Sequence, residues 1–149
     1  MASSQFKSGV PVYTQCQLQN HAGKKQYVTL DCQKDWHGSG DPPKTIQDQT
    51  SADFKHNADS TGSIGGVAFV LSNEIKWVVA WSNKEQQSNK VYTQILKGGD
   101  EVDWNQIKDN LDQSSNQSSD LDKYGYSSEA VIDKDNPAPS LQATLRPAA

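Results

Sequence analysis

The amino-acid sequence predicts an all-β protein, an antiparallel β-sandwich with one short helix near residues 100–111. Three observations carry that prediction. Apolar residues recur at every second position in several segments, and those segments are short and bounded by Gly, Pro, Asn, Asp and Ser clusters. Only one stretch shows helical apolar spacing. About nine short strands separated by turns fit two packed sheets or a closed barrel.

Taken in order, residues 1–10 hold little that folding could bury and read as a flexible N-terminal segment, leaving residues 11–149 as a single sandwich domain. Val12, Cys16 and Leu18 share one parity, as do Val28, Leu30 and Cys32. Asn20 to Lys24 between them supplies turn chemistry, so a hairpin is expected. Shorter strands are expected at residues 44–48 and 52–56. The strongest signal lies mid-chain. Gly65 to Leu71 is a continuous apolar run, Ser72-Asn73-Glu74 is a turn, and Ile75, Trp77, Val79 and Trp81 then occupy one face. Val91, Thr93 and Ile95 alternate with Tyr92, Gln94 and Leu96, which makes a third strand of an antiparallel meander, partly apolar on both faces.

Gly98-Gly99 stops that strand, and Asp100 is the expected N-cap of a helix on which Trp104, Ile107 and Leu111 recur at helical spacing. Asp112 to Asp120 is a low-complexity Ser/Gln/Asn/Asp run with no anchoring side chain, read as a polar loop over about 112–123. Strands at residues 126–133 and 141–146 complete the pattern, separated by Asp135-Asn136-Pro137-Ala138-Pro139.

Composition narrows the function classes. With 34% hydrophobic residues and a mean hydropathy of -0.80, a large enzyme cleft would strain the small core. Net charge is -4, and Arg146 is the one arginine among 14 basic residues, so nucleic acid is not an expected partner. No apolar stretch approaches the roughly 18 residues that span a bilayer, and Met1 to Val10 lacks a signal-peptide core, which predicts a cytoplasmic protein. The two-sided apolar pattern of Val91 to Leu96 makes a homodimer across an exposed strip a further expectation.

Catalytic and metal-binding patterns are not legible. His21, His37 and His56 form no paired spacing, and they read as solvent-facing imidazoles. Asp100, Glu101 and Asp103 open a helix and do not alternate as a calcium loop would. Ser60 to Gly66 is glycine-rich, but it lacks a Gly-Lys-Ser/Thr ending and leads into a strand. Cys16 and Cys32 share an inward parity. In the expected hairpin Cys16 faces Val28 or Tyr27, which favours two buried thiols over a bond needing Cα atoms within about 7 Å. With no nucleophile, base and orienter readable together, no cofactor and no metal are expected, and the protein is read as not an enzyme.

The aromatic residues are more informative. Trp77 and Trp81 fall on the inward face and read as core. Trp36 lies between Lys34-Asp35 and a His37-Gly38-Ser39-Gly40-Asp41 turn, where an indole either stacks on a sugar or pins the loop to the body. Tyr124 and Tyr126 pose the same choice.

Trp36-His37-Gly38, Pro42-Pro43-Lys44-Thr45-Ile46, Phe54-Lys55-His56, Gly62 to Phe69, Trp77-Val78-Val79-Ala80-Trp81-Ser82-Asn83 and Asn89-Lys90-Val91-Tyr92-Thr93 occur in that order. Over roughly residues 10–133 this series resembles the plant jasmonate-induced protein family. The resemblance implies a stress- or defence-associated protein. The tryptophan-glycine turn, the Gly-Ser entry to an apolar strand and the Trp strand before an Asn-containing loop are also similar to aegerolysins and actinoporin-like β-sandwiches, which bind lipids or sugars. Residues 1–10 offer no amphipathic helix of the lytic kind.

The functional expectation is a non-catalytic binding protein for a carbohydrate or lipid headgroup, held by loops at one end of the sandwich. Trp36 is the expected platform, with His37, Asp41 and Tyr126 as polar partners. The alternatives are a defence hydrolase or ribosome-inactivating enzyme, and a structural or protein-interaction role.

Overall fold

A computed structural model describes residues 9–148, so the expectation for the N-terminal segment falls mostly outside the described residues. The chain forms β1 (Tyr13–Asn20), β2 (Val28–His37), β3 (Ser39–Gly40), β4 (Thr45–Ile46), β5 (Thr50–Asn57), β6 (Gly62–Leu71), β7 (Ile75–Lys84) and β8 (Lys90–Lys97). After these come α1 (Trp104–Asp112), β9 (Gln117–Lys123), β10 (Tyr126–Ile132) and β11 (Ser140–Pro147). Two sheets face each other as a sandwich. One has six strands in the order β3-β5-β1-β11-β10-β9, and the other has five, β4-β2-β6-β7-β8. Pairing is antiparallel except between β1 and β11, which run parallel with Gln15 opposite Ser140 and Asn20 opposite Leu145.

Alternation decides which side chains meet between the sheets. Cys16, Leu18, Phe69, Trp77, Val79, Trp81, Ile95, Leu141, Ala143 and Leu145 fill the interlayer core. The expected meander is β6-β7-β8, and its continuous apolar run is explained by burial on both faces. Outside it, Ile64, Ala68, Val78 and Ala80 pack against Ile107 and Leu111 of α1. Large side chains buried in this way each stabilise the fold by about 1.5–3 kcal/mol. Polar bridges link the layers: Trp77 Nε1 donates to Ser128 Oγ at 2.8 Å, and Asn83 Nδ2 donates to the carbonyls of Tyr13 and Pro137.

Several expectations are corrected. β1 and β2 do not form a hairpin, because they lie in different sheets and residues 21–27 cross between them. Buried Asn20 fixes the crossing, donating to the carbonyls of Gln26 and Ile46 and accepting from the Ala22 N–H. An extra residue in β2 between Leu30 and Cys32 then shifts the register, so Cys32 opposes Ala68 on the helix side of its sheet. Cys16 stays in the interlayer core, and both thiols are unbonded. Burial pushes both thiols up, away from the reactive thiolate.

The helix begins later than expected. Asp103, and not Asp100, is the cap, with its carboxylate accepting from the Gln106 N–H. Gly66 gives the helix its seat, since a Cβ there would lie 2.7 Å from Trp104 Cζ3. The polar run after the helix is not a loop throughout, because residues from Gln117 onward form β9. Its inward side chains seal the edge of the opposite sheet: Ser118 Oγ accepts from the Thr93 N–H at 3.1 Å and Asp120 Oδ2 from the Ile95 N–H at 2.8 Å. The apolar strip expected to be exposed on β8 is likewise covered, since Tyr92 and Leu96 pack beneath α1.

Candidate functional site

The strand registers separate the four predicted site residues into two groups. Tyr13 opposes Asn57, which opposes Ser39, so the Trp36-to-Asp41 segment sits at the end of the sandwich where β1 begins. Asn20 opposes Leu145, and Tyr126 opposes Pro147, which places Tyr126 at the end where β1 finishes. An eight-residue strand separates them, about 25 Å at ordinary strand rise. The Tyr126 hydroxyl donates to Glu74 Oε2 at 2.8 Å and accepts from Gln26 Nε2, while burial raises its pKa.

At the first end, Trp36 is half-buried and meets Trp104 edge-on, ring centroids 5.8 Å apart and planes at 82°. The indole therefore joins the loop to the helix-side core while part of its surface reaches solvent. His37 and Asp59 are more open, with side chains 41% and 43% exposed, and His37 Nδ1 lies 3.1 Å from Asp59 Oδ2. Asp41 is exposed on the same loop, beyond Gly40.

Asp59, which the sequence reading passed over, organises this end. Its Oδ1 accepts from the N–H groups of Thr61 and Gly62, and its Oδ2 accepts from Gly38 N–H at 3.2 Å and binds His37. Those donors hold the carboxyl down to about 2. Two loops are thereby tied to one anion. Gly38 completes the arrangement at φ +91, where a Cβ would also strike the Asn57 carbonyl.

A second polar set lies just inside. His56, expected in solvent, is 1% exposed and spans the layers. Its Nε2 is 2.8 Å from Asp35 Oδ1 and its Nδ1 2.7 Å from Ser63 Oγ, which in turn meets Thr14 Oγ1 at 2.9 Å. An ionised carboxylate only accepts, so Nε2 carries the proton. The neutral ring then accepts the Ser63 hydroxyl, which accepts from Thr14. A Ser, a His and an Asp are thus aligned, but Ser63 and Thr14 have no solvent exposure and no substrate reaches them in this arrangement. Burial lowers the His56 pKa, with Asp35 opposing. No spacing in the sequence could have signalled this set, whose members come from four strands.

Among the described residues, no group of three or more His, Cys, Asp or Glu side chains is placed to hold a metal, and no helix is long and apolar enough to cross a membrane.

No family model matches the chain, and no curated protein matches it. Solved structures do. The lipid binding protein Nakanori superposes with a TM-score of 0.80 at 14% identity, over 92% of this chain and 72% of that one. The Xerocomus chrysenteron lectin XCL gives 0.59 at 12% identity, over 91% of this chain and 99% of the lectin. IP-1A from Alcaligenes faecalis gives 0.56 at 9% identity, over 99% and 97%. These likenesses bear out the sandwich with one short helix. The likeness to jasmonate-induced proteins has no counterpart among them.

Proposed function

We propose that the protein is a non-catalytic binding protein that takes a carbohydrate or a lipid headgroup at the end of the sandwich bearing Trp36, His37 and Asp41. The stress- or defence-associated setting is the one that the jasmonate-induced likeness implies. One observation carries the reading: Asp59 fixes both flanking loops and the inner nitrogen of His37 while leaving the imidazole 41% exposed. With Nδ1–H given to the Asp59 carboxylate, the neutral ring turns Nε2 outward as an acceptor of set orientation for a ligand hydroxyl, which lowers the entropy lost on binding. The half-exposed Trp36 supplies the apolar face beside it. The fold is shared with a lipid binding protein and a lectin, which supports the ligand class. A serine hydrolase built on the aligned Ser63, His56 and Asp35 would need Ser63 within reach of substrate, and its complete burial favours binding over that reading.

Glycan and lipid-headgroup arrays test the proposal, followed by His37→Ala on any hit. Affinity should fall about tenfold, the effect of one charged or well-oriented hydrogen bond. Trp36→Phe is the partner variant, because alanine would also remove the packing on Trp104. Blank arrays, or binding indifferent to both variants, would contradict it.

A further inference from the structure

The outer faces of the two sheets are finished differently. One is covered by α1, whereas the outer face of the six-stranded sheet carries polar side chains in register. Two cross-strand rows run over it. Gln117, Val131, Gln142 and Gln17 stand opposite one another on β9, β10, β11 and β1, and Ser119, Glu129, Thr144 and Gln19 form the next row. A shallow groove of about 670 Å³ lies along these rows, within the range of about 300–1,000 Å³ common to ligand sites.

The side chains are already organised. Gln142 Nε2 and Gln19 Nε2 both donate to Gln17 Oε1 at 3.1 Å, and Thr144 Oγ1 donates to Gln19 Oε1 at 2.9 Å. Glu129, the one ionisable group lining the groove, is bound by Arg146 at 2.7 Å. Amides and hydroxyls therefore present donors and acceptors with no net charge, and Val131, 43% exposed, adds an apolar patch among them. An anion or a cation finds no complement here. A neutral polyol finds both the hydrogen-bonding groups and the apolar contact that a sugar ring requires.

We infer that this groove is a second binding site, separate from the His37 end, for a short neutral oligosaccharide lying across β9, β10 and β11. Strands about 4.8 Å apart set neighbouring side chains within each row at a spacing close to the length of one pyranose ring.

The test uses the full chain and neutral trisaccharides built on glucose, galactose and N-acetylglucosamine. Backbone amide shifts on titration should centre on Ser119, Val131 and Gln142, and binding should be insensitive to added salt. The double variant Gln117→Ala/Gln142→Ala, at exposed positions, should weaken the binding read at these groove amides about tenfold, and His37→Ala should alter only shifts read at the His37 end. Three results overturn the inference: no shift with any trisaccharide, binding that survives the double variant but is lost in His37→Ala, or a stable dimer that buries the groove and dissociates in Val131→Arg. The second leaves the His37 site standing, so the two proposals fail separately.

Discussion

His56, on the six-stranded sheet, and Ser63, on the five-stranded one, meet at 2.7 Å with both side chains buried, so a titratable ring joins the layers. Its proton state sets the direction of the His56–Ser63 link, while Nε2–H donates to Asp35 in either state. Protonation makes Nδ1 a donor, and the Ser63 hydroxyl must then turn to the His56 carbonyl, 3.0 Å away.

Acid should therefore destabilise the fold through this residue. Burial lowers the folded pKa below 6.5, so the unfolded chain binds the proton more readily between the two values. The contribution is fully present above pH 6.5 and is lost as pH falls through the folded pKa. Asp35→Asn removes effects that raise the pKa, and should move the imidazole titration followed by NMR further down. An unchanged or higher midpoint would show that Asp35 does not hold the ring.

Asp59 predicts a second, more acidic limb. Its carboxyl is held at about 2, so the loop lock is intact above pH 3.8 and is lost as pH falls towards 2. Asp59→Ala should speed hydrogen exchange at the Gly38, Thr61 and Gly62 amides and weaken ligand binding without unfolding the sandwich. Protection equal to the unaltered protein would remove Asp59 from the account.

The seal on β8 should be measurable in isolation. Asp120→Ala leaves the Ile95 N–H without its acceptor, which costs about 1–3 kcal/mol. Denaturant unfolding should report that loss, and Ile95 exchange should accelerate. Because an unpaired edge recruits other strands, the variant should also self-associate more readily.

Gly66→Ala tests the seat of α1. The added methyl would reach to 2.7 Å of Trp104, forcing the indole aside at about 1–3 kcal/mol by comparison with other overpacked sites. Trp104 fluorescence should shift to the red as the ring gains water. Unchanged thermal stability and emission would mean that the helix accommodates the methyl freely.

The sequence disclosed elements whose burial follows a regular period. Gly65 to Leu71 on β6 and Trp77 to Trp81 on β7 are apolar throughout, β8 alternates, and Ile107 and Leu111 keep helical spacing. It concealed β9, because Ser118 and Asp120 point inward to satisfy backbone donors and bury no apolar surface. The register shift at Asp31 hid the side of the sheet on which Cys32 lies. The candidate site was legible as a segment but not as a constellation. Trp36 meets Trp104, His37 meets Asp59, and Tyr126 stands at the opposite end, none of which local spacing reveals.

If a ligand engages the His37 end on a preformed scaffold, amide chemical-shift mapping with an array hit will show it there. The largest shifts should fall at His37, Gly38, Thr61 and Gly62, around Asp59. Shifts confined to the Tyr126 end, or an array hit that leaves these four amides unmoved, would contradict engagement at the His37 end.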